Sequence, residues 1–196
     1  FQATVGITNP NQGIDQNGAT SALSTLNQDR FGLEGQANYA FAADNFSGKV
    51  WVGGASYKVK TTSAIEYTAT AADIGATINA GNVGLTGYYY VGEGAGTTAF
   101  LMDGYSATGG KRDSDGGYVQ ATYVLPIKTK IGAAYGISKL DRAGADTVGL
   151  LKENERYTVG AYHPLTKHLN LVAEYNNVQS ETHGNYSTEN KTYSGG

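Results

Sequence analysis

The chain has 196 residues, 40% of them hydrophobic, with 28 Gly, 15 Tyr and a formal net charge of −3. No run approaches the ~18 apolar residues of a membrane helix, no basic patch with interleaved aromatics points to nucleic acid, and the absence of Cys excludes disulfides and thiolate metal sites. Frequent Gly together with Val, Thr and Tyr favours an all-β chain with many turns.

Period-2 alternation predicts about ten strands. The first, 1–8, carries Phe1, Ala3, Val5 and Ile7 on one face. The second runs from about Arg30 to Ala42, with Phe31, Leu33, Ala37, Tyr39 and Phe41 opposed by Arg30, Glu34, Gln36 and Asn38. In the third, 49–60, Trp51, Ala55, Tyr57 and Val59 form the apolar row and Ser56, Lys58 and Lys60 the polar one. The fourth, 67–78, changes phase near Ala71–Ala72, which suggests a bulge. The fifth groups Val83, Leu85, Tyr89 and Val91, and the sixth Val119, Ala121, Tyr123 and Leu125. The seventh groups Ile131, Ala133, Tyr135 and Ile137, and the eighth Tyr157, Val159 and Ala161. The ninth sets Leu169, Leu171, Ala173 and Tyr175 against Asn170, Glu174 and Asn176, and the tenth begins near Lys191.

The connections between these strands alternate long and short. The long or medium ones fall at about 9–29, 61–66, 93–117, 139–154 and 177–190. The short turns fall near Asp44–Ser47, at 79–82, at 126–129 and at 163–167, with Asn, Gly and Pro supplying the turn chemistry. Such alternation sends the long loops to one end of the sheet and the tight turns to the other, the asymmetry of an outer-membrane barrel. In lipid the backbone must satisfy its own hydrogen bonds, so strands close into a barrel with one face toward acyl chains and one toward a watery lumen. Aromatic rings then prefer the two interfaces. Tyr39, Phe41, Trp51 and Tyr123 are assigned to the turn end, and Phe31, Tyr57, Tyr157 and Tyr175 to the loop end. A soluble all-β sandwich explains the alternation equally well but has less reason to sort its loops by length.

Two stretches carry a resemblance. "GGYVQATYVLPIKTKIGAAYGISKL" (116–140) and "ENERYTVGAYHPLTKHLNLVAEYN" (153–176) resemble the C-terminal half of Gram-negative trimeric porins, with Tyr157, Gly160, Tyr162, Thr166 and Lys167 in the hairpin pattern. The resemblance implies a passive diffusion channel of sixteen or eighteen strands. It also implies a homotrimer in outer-membrane lipid and lipopolysaccharide, and an inward-folded loop that narrows the pore. The chain begins inside a strand with no signal segment and ends at "TYSGG", without the family's closing aromatic. A single barrel domain over 1–196, incomplete at both ends, is therefore expected.

On that reading the pore-lining candidates are Arg30, Glu34, Gln36, Asn38, Lys58, Lys60, Lys130, Arg156, Asn170 and Glu174. Rings of fixed charge in a water-filled lumen bias which solutes and ions enter; any single candidate reads first as a solvated wall residue with no selective role. His163 and His168 flank a short turn, and His183 lies near Glu181 in a polar loop, but no nucleophile or orienting group completes a triad. "GEGAGT" (92–97) lacks the following helix of a phosphate loop and reads as a loop start. "GGKRDSDGG" (109–117) lacks the ligand set of a calcium loop and reads as a mobile tip. The sequence therefore predicts an outer-membrane channel for small solutes and ions, with no catalytic residue, metal or cofactor. The alternatives are a complete small barrel acting as enzyme or adhesin, and a soluble binding module.

Overall fold

The structure is a computed structural model that describes residues 1–8, 31–60, 66–97, 103–106, 110–144 and 146–195, with the side chain of Lys60 excepted. The ten strands are β1 (Gln2–Thr8), β2 (Gly32–Ala43), β3 (Phe46–Lys60), β4 (Glu66–Ala80) and β5 (Val83–Glu93), followed by β6 (Asp113–Val124), β7 (Lys130–Leu140), β8 (Leu151–Pro164), β9 (Asn170–Thr182) and β10 (Ser187–Gly195). They form one antiparallel sheet in sequence order, β1 to β10, each strand paired with its chain neighbour. The sheet is open, with β1 and β10 at its edges.

Sequential hairpins need only short connections at one end. Gly81, at φ 55°, closes one turn and donates to the Asn45 carbonyl of the neighbouring turn. Leu125 donates to Thr129 at 2.8 Å, and Leu165 to Leu169 at 2.9 Å, closing the two Pro-containing turns. The fourth strand has no bulge: Ala71 and Ala72 keep register with both β3 and β5. Among the described residues the ladder shifts register in β8, between Leu151 and Glu153. The β9–β10 connection is shorter than expected, because β9 continues to Thr182 and β10 starts at Ser187. Asp113–Gly117, expected as a mobile tip, is the start of β6.

Residues paired directly across an antiparallel ladder share a face. One row of partners runs Ala37–Val52–Ile74–Tyr89 and another Leu85–Ala121–Ala133–Val159–Tyr175–Tyr193. This face is apolar through the middle of every strand from β1 to β8. The opposite face carries Asn38–Trp51–Gly75–Tyr88–Tyr118–Gly136–Arg156 in one row. On the apolar face Val5 is 79% exposed, Val119 61% and Val159 57%, whereas Tyr57 and Tyr90 on the polar face are 9% and 8% exposed. A sheet that coils crowds side chains on its concave side and spreads them on its convex side. The greasy face is therefore the outer one, the reverse of a soluble sandwich.

Candidate functional site

Seven of the ten polar candidates fall on one face. Glu34, Gln36 and Asn38 in β2, Lys130 in β7, Arg156 in β8, and Asn170 and Glu174 in β9 all share the polar face by register. Glu34 accepts from the Tyr57 hydroxyl at 2.8 Å. Arg156 Nη2 donates to Asn176 Oδ1 at 2.7 Å, and the Thr158 hydroxyl donates to the same oxygen at 2.7 Å. The Tyr162 hydroxyl donates to Glu174. These bonds hold charged groups against the sheet instead of leaving them extended.

Three candidates are placed otherwise. Arg30 lies outside the described residues. Lys58 and Lys60 pair with Thr68 and Glu66, in the rows of Val50 and Val52, and so belong to the outer face beyond its apolar band. Conversely, Trp51 and Tyr57, expected at the lipid interface, are on the polar face: Trp51 pairs with Asn38, and Tyr57 reaches Glu34. Both faces of β3 carry apolar residues, so alternation alone does not say which faces which way. The pairing of Ala37 with Val52 decides it.

Tyr39, Phe41, Tyr123, Tyr157 and Tyr175 are on the outer face by register. Phe31, just before β2, is 65% exposed. Tyr39, Phe41 and Phe46 stack in a run at the turn end, with ring centroids 6.3 Å and 5.6 Å apart. Toward the loop end Tyr135 packs on Tyr157 at 4.8 Å. Above these rings the outer face turns charged. Tyr135 donates to Glu155 at 2.7 Å, and Tyr89 to Asp115 at 3.4 Å. Tyr89 and Tyr135 were legible as apolar-row residues; their position at the edge of the charged rim was not.

The β5–β6 connection, 94–112, is the part that sequence reading missed. Gly94–Thr97, read as a loop start, does begin the connection after β5, and it is buried. Tyr105 packs on Tyr67, centroids 5.4 Å apart, and sits against the cluster of Tyr57, Val59 and Ala69 on the polar face. Tyr105 therefore lies over the inner surface of β3 and β4. The anchor of the connection is Arg112. Nε and Nη2 donate to the two oxygens of Asp146 at 2.7 and 2.8 Å, and Nη1 donates to the Asp103 carbonyl at 2.9 Å. Both partners of the ion pair are buried, with side-chain exposures of 9% and 7%. Hydrogen bonding from Arg112 holds the Asp146 carboxyl below its ordinary range, outweighing the opposing effect of burial. The Ala143 amide adds a further donor at 2.8 Å.

The rings of His183 and His163 have structural partners. His183 Nε2 lies 2.8 Å from the Leu140 carbonyl, which requires that nitrogen to donate, and His163 Nδ1 lies 2.9 Å from the Thr129 hydroxyl. Among the described residues no group of three His, Asp or Glu is arranged to hold a metal.

A family model described as Gram-negative porin matches residues 1–183. The fold is similar to the outer membrane channel DcaP of Acinetobacter baumannii, with a TM-score of 0.75 at 13% identity over 96% of this chain. The chain spans 56% of that channel's length. Among curated proteins none matches. The ten-stranded sheet is thus part of an outer-membrane β-barrel wall, and the protein is placed in the outer membrane. The chain belongs to the Gram-negative porin family.

Proposed function

We propose that the protein is a passive diffusion channel for small hydrophilic solutes and ions, with the polar face as the wall of a water-filled lumen. The observation that carries this reading is the sorting of side chains by register. An exposed apolar band is backed in β2, β7, β8 and β9 by Glu34, Gln36, Asn38, Lys130, Arg156, Asn170 and Glu174. The described part of the β5–β6 connection, with Tyr105 packed on the inner surface and Arg112 anchored to Asp146, is the proposed constriction. An open sheet leaves unpaired backbone groups along β1 and β10, which lipid does not satisfy. The proposal therefore includes a single barrel domain of sixteen or eighteen strands, in which the two edges pair with further strands. Homotrimers embedded in lipid and lipopolysaccharide complete the reading. No catalytic step or cofactor is part of it, since transport down a gradient needs only width and wall charge.

Planar-bilayer conductance of the purified protein tests this. Steps that scale with bulk conductivity and arrive in threes are the expected result. A folded, membrane-inserted protein giving no steps would overturn the channel reading, and steps that are always single would overturn the trimer.

A further inference from the structure

The polar face is not uniform, and its β3–β6 part has a composition that a plain solvated wall does not need. Trp51 stacks on Tyr88 with centroids 6.5 Å apart, and Tyr88 in turn contacts Tyr90 at 6.3 Å and Tyr118 at 5.7 Å. Glycines make room for these rings to lie along the sheet. A Cβ at Gly75 would meet the Trp51 indole, and one at Gly116 would meet the Tyr90 ring. The rings thus form a shelf along the wall instead of projecting across the lumen.

The shelf borders a cavity of about 520 Å³ lined by Glu34, Gln36, Asp73, Tyr57, Tyr88 and Tyr90 among others. Asp73 sits in the row Gln36–Gly53–Asp73–Tyr90, its carboxylate lying over Gly53, where a Cβ would meet it. Among the described residues no hydrogen bond or ion pair engages this carboxylate, whose ladder neighbours are Gly53 and Tyr90. Glu34, one strand beyond Gly53, takes a neutral donor, the Tyr57 hydroxyl, and no cation among the described residues. Lys49, a cation on this face, is placed over the Trp51 ring, 6.0 Å from its centroid. That contact illustrates that the shelf accepts a positive charge on a ring face.

We propose that this shelf and cavity form a binding subsite for organic ammonium solutes bearing a flat or apolar body. The body lies on the Trp51–Tyr88–Tyr118 rings and the charge faces Asp73 and Glu34. Stacking and cation–π attraction are tolerant of the exact solute, whereas an unpaired carboxylate selects the sign of its charge. The subsite concentrates such solutes at the wall and biases which ones the channel passes. This inference rests on the channel reading above.

Trp51 is the single Trp of the chain, so its fluorescence reports the shelf directly. The test titrates the protein in detergent micelles with benzyltrimethylammonium, benzyl alcohol, benzoate and maltose. Saturable quenching by the ammonium probe, absent with the neutral and anionic ring compounds, is expected. Asp73→Asn, which keeps the shape, should weaken apparent affinity by about tenfold, and Tyr88→Leu by a similar factor. Equal quenching by benzyl alcohol, or saturable quenching by maltose that survives Asp73→Asn, would overturn the assigned charge. Bilayer recordings separate the two claims. Open steps without saturable ammonium quenching would sink the subsite and leave the channel; quenching in a protein that never conducts would sink the channel and leave the site.

Discussion

The strand wall and the layer of loops at its long-loop end are built on opposite plans. In the wall the ladder is continuous while most large apolar side chains stay exposed, Leu33, Val52, Ile74 and Leu85 at 53–58% among them. In the loop layer Ala95, Asp103, Ser106, Arg112, Leu140 and Leu150 are all buried, and one ion pair ties two connections together. The difference teaches where each part gets its stability. Backbone hydrogen bonds and the surrounding lipid hold the wall, so single outer side chains matter through what solvent they meet. Side-chain packing and a buried charge pair hold the loop layer, so single deletions there act as they do in a soluble core.

The largest expected effect is Arg112→Ala. It strands the Asp146 carboxylate in a buried site, a change that typically costs about 3–5 kcal/mol. The loss should be local: amide exchange at Gly94 and Arg112, which pair with Arg112 and Gly104, should accelerate while the β7–β8 ladder stays protected. Simultaneous loss of protection in the wall would erase the distinction between the two regions.

Next comes the outer face. Arg at Ala37 or Ala173, mid-strand on the apolar side, should destabilise the inserted protein by roughly 2–4 kcal/mol, while Gln36→Arg should cost under about 1 kcal/mol. Denaturant titration of the protein folded into vesicles measures both. Comparable costs at Ala37 and Gln36 would mean that the faces are assigned backwards or that no bilayer surrounds them.

A smaller, pH-dependent effect sharpens the loop side. The folded-state pKa of Asp146 is depressed below 3.8, so its contribution is fully present above that value and is lost as pH falls through the folded one. Protection of the Gly94 and Arg112 amides should thus be flat from neutral pH to about pH 5 and fall only in stronger acid. Loss already near pH 6 would instead mean that the Arg112–Asp146 pair does not control the anchor.

The smallest effect expected is Tyr57→Phe, at the junction of the two regions. It removes the donor to Glu34 and leaves the packing against Val59 and Ala69, for a loss of about 1 kcal/mol by denaturant titration. A much larger loss would mean that the junction, and not Arg112, anchors the loop.

How far the sequence could be read varied from strand to strand for physical reasons. In β2 the alternation is one-sided, Leu33 and Ala37 against Glu34 and Gln36, so facing and partners followed at once. In β3 both rows hold apolar residues, and the preference of aromatic rings for membrane interfaces pointed the wrong way. Trp51 and Tyr57 lie on the inner face, which has aromatic rings of its own. The apparent phase slip at Ala71–Ala72 came from Tyr67, Ala69 and Ala71 sharing the inner face with apolar neighbours, not from an extra residue. The charged pair in the loop layer was not legible, because Arg112 and Asp146 are separated by a whole hairpin and neither sits in a motif.

By itself the sequence determined the ten strands, their order, the sorting of tight turns to one end, and the apolar row of most strands. Each of these is a local property: a period of two, a turn residue, a run length. Only the tertiary structure decided which row of β3 faces inward, that Tyr105 packs onto the inner surface, and that Asp73 stands beside a shelf of rings with no cation paired to it among the described residues. Those facts depend on cross-strand register and on contacts between distant connections, and a ladder fixes them through partners that no local pattern names.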